Sequence, residues 1–335
     1  MKIWRLEAVR GAAAAYVVVA HSFTKPPLFF SFGQEAVMAF FLLSGFVIEY
    51  SSARHLNRGF GAYFSRRFWR IYSVLVCLFV VAAILEHSPI SSPAFWRQLG
   101  GNLLMLQDFP EGKPAVLVPA IFAGALWSLG YEWWFYMLYF PAATRLRPAR
   151  QVHVVGWIGV AAALSYLVYP NFINRILFYF PAWWAGVALA RQYGEEGRVT
   201  LKSARAPGLY LAAICAVLAA PCLSSIAAGG RIMPGLHPFL EFRHLFGALV
   251  LLAAALGWQR LRWIGFSSLL GWGRWVAPIS YALYIAHEPL FSRAHYLHGV
   301  LPAEFESLAY LVCLLIFCGI AELWLYRRII RPLAA

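Results

Sequence analysis

The chain has 335 residues, of which 61% are hydrophobic, 17% aromatic and only 13% charged, and its mean hydropathy is +0.65. Soluble domains carry about twice that charged fraction, so the composition excludes the usual soluble classes. Abundant aromatic residues, and glycines and prolines without a period, exclude disordered and collagen-like chains. The composition therefore predicts an all-α, polytopic membrane protein, and the length accommodates about ten helices that cross the membrane.

Apolar stretches bounded by charges, glycine and proline predict ten helices within one integral-membrane domain, residues 1–335. The predicted spans are residues 8–24, 34–50, 71–86, 121–141, 152–168, 176–190, 207–226, 242–258, 276–292 and 307–326. Residues 101–120 are mildly apolar and interrupted by proline, and we expect a re-entrant or interfacial segment there. The five cysteines lie in apolar stretches without metal-ligand spacing, so they indicate packing residues and no metal site.

The net charge of +14 comes from 28 lysines and arginines against 14 acidic residues. Most of the basic residues fall in predicted loops on the side of the N-terminus, which is the asymmetry that the positive-inside rule describes. The charge therefore indicates membrane topology rather than nucleic-acid binding, and it predicts that both termini are cytoplasmic.

The first predicted helix carries Arg10 and His21, which are eleven residues apart. This spacing returns them to within about 20° of one helix face, about 16 Å apart along the axis. An ionisable group at membrane depth costs roughly 3 kcal/mol unless it is paired or hydrated. The two residues therefore form a functional face, or they are a snorkelling arginine and an interfacial histidine.

The segment 54–70 after the second predicted helix holds five arginines and no acidic residue, and we expect it to be a loop. Arginine side chains bind phosphate through two parallel hydrogen bonds, so Arg66, Arg67 and Arg70 suit a donor that resembles a nucleotide or coenzyme A. The alternative is a topology signal that contacts anionic lipid.

The fourth predicted helix carries Ser128, Glu132 and Tyr136 at four-residue spacing, which places them on one face. A carboxylate inside a membrane helix is a candidate functional group, because it needs a partner or water. Glu132 is therefore a site residue or a structural partner for an arginine.

The ninth predicted helix presents Ser280, Tyr284 and His287 on one face, with Tyr281 and Glu288 beside them. A histidine beside a carboxylate at membrane depth has three interpretations. The group is a proton relay, a contact for a sugar, or a polar cluster at the outer interface.

Five segments occur in order between residue 1 and about residue 325: LEAVRGAAAAYVVVAHS, FFLLSGFVI, FSRRFWRIY, LWSLGYEWWFYML and SYALYIAHEPL. Together they resemble the acyltransferase-3 family of membrane O-acyltransferases. The resemblance implies transfer of an acyl group, most often acetyl, from cytoplasmic acyl-CoA to an envelope polysaccharide or exported glycolipid. It also implies a multi-pass protein of the bacterial inner membrane, whose partners are acyl-CoA, a carbohydrate acceptor and the lipid bilayer.

The resemblance assigns roles to individual residues. His21 matches the essential histidine of the family, Arg10 its partner, and Glu132 the carboxylate of the WSL-x-x-E motif. The residues linked to the acyl donor are Arg66, Arg67 and Arg70. The residues expected to contact substrate are Ser128, Tyr136, Tyr281, Tyr284 and His287.

The sequence departs from the family pattern at two positions. Glu7 stands where the family usually has aspartate, and Ser73 stands where proline commonly follows the RIY element. A proline would interrupt the helical hydrogen bonds and serine does not, so the sequence alone does not determine the helix geometry around Ser73. The single domain favours the compact modifiers of polysaccharides or glycolipids.

An imidazole can take the proton of a hydroxyl during attack on a thioester carbonyl. We expect His21 to be that base or a transient acyl carrier, with Glu132 orienting the imidazole or a water. Thioester chemistry needs no metal and no tightly bound cofactor, so acyl-CoA is expected as co-substrate. The rival hypothesis, from the buried His, Glu and Arg, is a secondary transporter or an exporter of a lipid-linked sugar.

Overall fold

The computed structural model describes residues 3–23, 27 and 31–333, and 78% of it is helical. The α-helices longer than ten residues are α1 (Trp4–His21), α2 (Gly33–Ser52), α3 (Phe60–Leu85), α4 (Pro93–Leu103), α5 (Trp127–Arg145), α6 (Pro148–Val168), α7 (Phe172–Glu196), α8 (Leu201–Ala227), α9 (Phe239–Arg260) and α13 (Ala303–Cys318). Three shorter α-helices lie between α9 and α13: α10 (Phe266–Leu270), α11 (Gly273–Val276) and α12 (Ser280–His287). The all-α prediction is confirmed, and helical structure coincides with every predicted span. Residue 24, the predicted end of the first span, lies outside the described residues.

Six of the described helices are long and apolar enough to cross a membrane, judged by length and composition alone. They are α2, α3, α6, α8, α9 and the continuous helix Glu304–Ile330, which joins α13 to the π-helical segment Gly319–Ile330. Helix α1 is long enough but carries three charged residues in its first half. The observations support a multi-pass membrane protein, while the count of ten spans and the orientation stay predictions.

Helix α3 begins at Phe60, well before the start predicted at residue 71. Its first turns pack aromatic side chains against α5: the ring centroids of Phe60 and Phe140 are 5.3 Å apart, and those of Phe64 and Trp133 are 5.6 Å apart. The prediction of a loop over 54–70 is wrong for residues 60–70. A run of arginines indicates a helix boundary in the sequence, but here the helix includes them because aromatic side chains beside them pack against α5. The helix continues through Ser73, whose hydroxyl donates to the carbonyl of Trp69.

The predicted ninth span is irregular. It consists of α11 (Gly273–Val276), the 3₁₀ turn Ala277–Ile279, α12 (Ser280–His287) and the π-helical turn Glu288–Ser292. Proline lacks a backbone N–H, so Pro278 and Pro289 each remove one donor from the regular α-helical pattern. Helix α12 is therefore a short segment of eight residues, with an interruption of the regular α-helix on either side.

In the predicted re-entrant segment 101–120, helix α4 ends at Leu103 and a loop follows. Within the loop, β1 (Gln107–Asp108) pairs in parallel with β2 (Val118–Pro119). The buried Asp108 carboxylate anchors the loop, because it lies 2.9 Å from the Lys113 ammonium and accepts a 2.5 Å hydrogen bond from Tyr131 of α5. The loop therefore has a defined position where it leads into α5.

Glycines allow the helices around the site to touch backbone to backbone. A Cβ atom on Gly45 of α2 would lie 2.0 Å from the carbonyl oxygen of Trp183 on α7. A Cβ atom on Gly11 of α1 would lie 1.9 Å from the carbonyl oxygen of Gly273 on α11. Small residues at such crossings are typical of membrane helix packing. The contacts hold α2 close to α7 and α1 close to α11.

Candidate active site

A cavity of about 590 Å³ lies between α1, α2, α3, α5 and α12. Along α2 its lining runs from Ser51 to Phe40, a length of about 16 Å at the rise of an α-helix. The basic residues that line it are His55, Arg58, Arg66, Arg67, Arg70 and Arg331, together with Arg10 from α1. The far end, near Phe40, is lined by aromatic and hydroxyl side chains.

The arginine-rich end is built by the first turns of α3 and the end of α2. Arg67 donates to the hydroxyl of Ser52 at 3.3 Å, and its guanidinium lies 5.8 Å from the ring centroid of Tyr63. Arg66 donates from Nε to the carbonyl of Ala62, one turn earlier in α3. Neither bond neutralises the charge, so both guanidinium groups can still bind an anion. Their role as donor-binding residues stays a prediction.

Arg70 has a different environment from the other two predicted arginines. Its two terminal nitrogens each donate to one oxygen of Glu322, both at 3.0 Å. Its guanidinium also lies between the rings of Tyr281 and Tyr326, 4.8 and 4.7 Å from their centroids. Arg70 therefore lines the cavity as half of an ion pair. Glu322, on the π-helical segment, was missed by the sequence analysis; an acidic residue inside the apolar stretch GIAELWL was the available signal.

Arg10 connects α1 to the start of α12. Its Nε donates to the hydroxyl of Ser280 at 3.1 Å, and its Nη2 donates to the carbonyl of Ala277 at 3.1 Å and to the carboxylate of Glu7 at 2.7 Å. The departure from the family aspartate thus keeps an acidic partner one turn from Arg10. The guanidinium is part of the cavity wall and fixes the relative position of two helices.

Glu132 lies in the wall of the cavity between α5 and α2. Its Oε1 accepts a 2.6 Å hydrogen bond from Ser44 of α2 and a short one from Tyr136, and Trp183 donates to the same serine hydroxyl at 3.1 Å. The structure therefore partners Glu132 with hydroxyl groups rather than with His21 or an arginine. Ser44 was missed by the sequence analysis, although it lies in the quoted FFLLSGFVI segment.

The far end of the cavity is closed by α5 and α12. Ser128 and Tyr284 share a 2.7 Å hydrogen bond between their hydroxyl groups, and the Tyr284 ring contacts Phe40 at 5.2 Å between centroids. Tyr281 donates to the carbonyl of Ile71 on α3 at 3.0 Å. The residues predicted to share a face on each helix therefore do meet in this cavity, except His21 and His287.

His21 and His287 form a pair just beyond this end. His21 is exposed at the end of α1 and His287 is buried in α12, and the distance from His21 Nδ1 to His287 Nε2 is 3.1 Å. The ring of His287 lies 6.2 Å from that of Tyr284, which lines the cavity. Since α1 is continuous, Arg10 and His21 lie about 16 Å apart along it and cannot bond to each other. The aromatic end wall thus separates the cavity from the histidine pair.

Glu288 follows His287 and joins the histidine pair to the start of α5. Its two carboxylate oxygens accept hydrogen bonds from the backbone N–H groups of Ala125 and Gly124, at 2.8 and 3.0 Å, and Arg293 lies 3.2 Å from one of them. One donor atom each from His21, His287 and Glu288 lies within 4.8 Å of the others, a spacing that a metal ion can occupy. The carboxylate, however, already has three partners. The expectation of no metal stays a prediction.

Comparison with known proteins agrees with these features. The model of a family described as an acyltransferase domain, Acyl_transf_3, matches residues 3–327. Acyltransferase MdmB of Streptomyces mycarofaciens is 35% identical over 142 residues, which are 39% of this chain and 34% of MdmB. The aligned part thus spans about a third of that relative. No solved structure gives a significant match.

The fold and the site define a multi-pass helical membrane protein with an arginine-lined internal cavity. The match over nearly the whole chain shows that it belongs to the acyltransferase-3 family, which confirms the resemblance noted from the sequence motifs.

Proposed function

We propose that this protein is a membrane O-acyltransferase that moves an acyl group, acetyl in the first instance, from acyl-CoA to a hydroxyl of an envelope or exported carbohydrate. The observation that carries the proposal is that one cavity joins the arginines of α3 to Tyr284, next to the histidine pair. Acyl-CoA suits this lining, because its phosphates need a basic environment and its thioester does not. The arginines line one end of the cavity, and Phe40, Ser128 and Tyr284 line the other.

The donor phosphates bind Arg58, Arg66 and Arg67 at the arginine-rich end, where guanidinium groups form paired hydrogen bonds with phosphate oxygens. The pantetheine arm lies along α2 past Glu132 and Ser44, which offer hydrogen-bond partners for its amides. The thioester then reaches the wall formed by Phe40, Ser128 and Tyr284, and these side chains have to move aside for its carbonyl to meet the acceptor hydroxyl at His21. Because basic loops favour the cytoplasmic side, this end faces the cytoplasm of the bacterial inner membrane, where acyl-CoA is present.

His21 acts as the general base. Its imidazole takes the proton of the acceptor hydroxyl while that oxygen attacks the thioester carbonyl, the C–S bond breaks, and the proton passes to the departing sulfur. The products are an O-acyl sugar and free coenzyme A. The step consumes one thioester and one hydroxyl, so it needs no metal, redox partner or tightly bound cofactor, and acyl-CoA is a co-substrate.

Purified protein in detergent tests the proposal through release of free coenzyme A from acetyl-CoA. Wild-type protein should release it, faster with an acceptor glycan present, and His21→Ala should bind acetyl-CoA without turnover. Mass spectrometry of envelope glycans from cells with and without the protein should show the mass increment of one acetyl group. A wild-type protein that releases no coenzyme A but accumulates a lipid-linked sugar in vesicles would support the transporter hypothesis instead.

A further inference from the structure

The backbone around the histidine pair defines which nitrogen of each ring carries hydrogen. His287 Nδ1 lies 2.6 Å from the carbonyl oxygen of Tyr284, and His21 Nδ1 lies 3.1 Å from the carbonyl oxygen of Val17. A carbonyl oxygen only accepts hydrogen bonds, so both Nδ1 atoms carry hydrogen and donate. In the neutral rings, both Nε2 atoms therefore hold a lone pair.

The contact between the rings follows from these two assignments. The Nδ1–H of His21 also donates to the Nε2 lone pair of His287 at 3.1 Å. Among the residues that the structure describes, the one ring nitrogen of the pair without a bonding partner is then Nε2 of His21, which keeps its lone pair. His21 is exposed and His287 is fully buried, so this lone pair belongs to the ring that a substrate can reach.

We infer that His287 is a positioning residue for the general base: it accepts the Nδ1–H of His21, holds that ring in the Nδ1–H tautomer and directs the Nε2 lone pair towards the acceptor hydroxyl. This inference rests on the proposed function. A hydrogen-bond acceptor at the rear nitrogen of a catalytic imidazole fixes its tautomer and orientation, and it stabilises the imidazolium that forms when the front nitrogen takes a proton.

The surroundings of His287 suit this role. Its Nδ1–H is committed to the Tyr284 carbonyl, so the ring cannot turn over without losing that bond. Glu288 places a carboxylate close to both histidines and is itself held by the start of α5 and by Arg293. A positive charge that develops on His21 therefore has an acceptor nitrogen in contact and a carboxylate within 4.8 Å.

Two substitutions of His287 separate positioning from packing. His287→Gln can place a carbonyl oxygen near the Nε2 position, whereas His287→Leu fills a similar volume without any acceptor. We expect His287→Leu to lower kcat roughly 100-fold and His287→Gln to retain most of it, with the KM for acetyl-CoA unchanged in both. The matched control is His244→Gln, at a fully buried histidine that bonds Tyr179 at 2.6 Å on α7, and it should keep the wild-type kcat.

The measurements are kcat and KM from coenzyme A release, on variants whose melting temperature and acetyl-CoA binding match wild type. Wild-type kcat in His287→Leu, or an equal loss of kcat in His287→Leu and His287→Gln, would overturn the inference. Turnover lost after treatment with EDTA and restored by Zn²⁺ would also overturn it, in favour of a metal bridge between His21 and His287. A failure of the proposed function differs from a failure of this inference, because in the first case wild-type protein itself would release no coenzyme A.

Discussion

Arg70 of α3 and Glu322 of the last long helix form a two-point ion pair, with both nitrogen-to-oxygen distances at 3.0 Å. Glu322 is 1% exposed, so it depends on Arg70 for its charge compensation. The pair connects helices that are far apart in the chain and does so beside the cavity. Among the three arginines expected to bind the donor, Arg70 is therefore the one that stabilises the fold through a buried ion pair.

The ion pair predicts that Arg70 contributes to the stability of the fold, whereas its neighbour Arg67 contributes to donor binding. Arg70→Gln leaves a buried carboxylate unpaired and should cost about 3 kcal/mol of unfolding free energy, whereas the double variant with Glu322→Gln should recover part of that loss. Thermal unfolding in detergent measures both. A full cost in the double variant would show that the ion pair is not what Arg70 contributes.

Arg67→Gln should instead raise the KM for acetyl-CoA, with little change in melting temperature. Its partners are a serine hydroxyl and a tyrosine ring, so no buried anion is left behind when its charge is removed. Because a phosphate contact is screened by salt, the variant should also show a weaker dependence of KM on ionic strength. An unchanged KM would leave the arginine cluster as a topology signal.

Glu132→Gln keeps an oxygen that can accept from Ser44 and Tyr136, so the variant should fold. Among the described residues both of these bonds end on Oε1, which leaves Oε2 for a ligand in the cavity. Removing the charge weakens any bond to that ligand, and we expect a loss of about tenfold in kcat/KM for acetyl-CoA. Ser44→Ala, at a second residue placed beside the pantetheine arm, removes a hydroxyl and keeps the carboxylate, so it measures the loss of a hydrogen bond separately from the loss of charge. Full activity in Glu132→Gln would leave the residue a packing role.

Arg10→Lys should keep some turnover while altering the KM for acetyl-CoA. Lysine retains the positive charge near Glu7, but it cannot also donate to Ser280 and to the Ala277 carbonyl in the fixed geometry of a guanidinium. Coenzyme A release and acetyl-CoA binding by calorimetry measure the two effects. Kinetics indistinguishable from wild type would contradict a role for this connection between α1 and α12.

Gly45→Ala should destabilise the fold by about 1–3 kcal/mol, because the added methyl group would collide with the Trp183 backbone. The control is Gly61→Ala in α3, where a Cβ atom meets nothing within 4 Å. That substitution should be neutral or stabilise the helix by about 1 kcal/mol. Equal melting temperatures for the two variants would contradict the close approach of α2 and α7.

Much of the helical pattern could be predicted from the sequence, because apolar stretches long enough for a membrane are a local property of the chain. The shared faces of Ser128, Glu132 and Tyr136 were predictable for the same reason: helix periodicity alone determines them. The start of α3 could not be predicted in this way. Several arginines in a row indicate the end of a membrane helix, and only the packing of the neighbouring aromatic side chains against α5 shows that the helix includes them.

The sequence by itself determined the class of protein, the motifs and which polar residues need a hydrogen-bond or charge partner inside a membrane. Only the tertiary structure decided their partners. It joined Glu132 to Ser44, Arg70 to Glu322 and His21 to His287, pairs that lie on different helices. The physical reason is that a buried polar side chain takes its partner from whichever helix packs against it, and that choice depends on helix crossings far apart in the sequence.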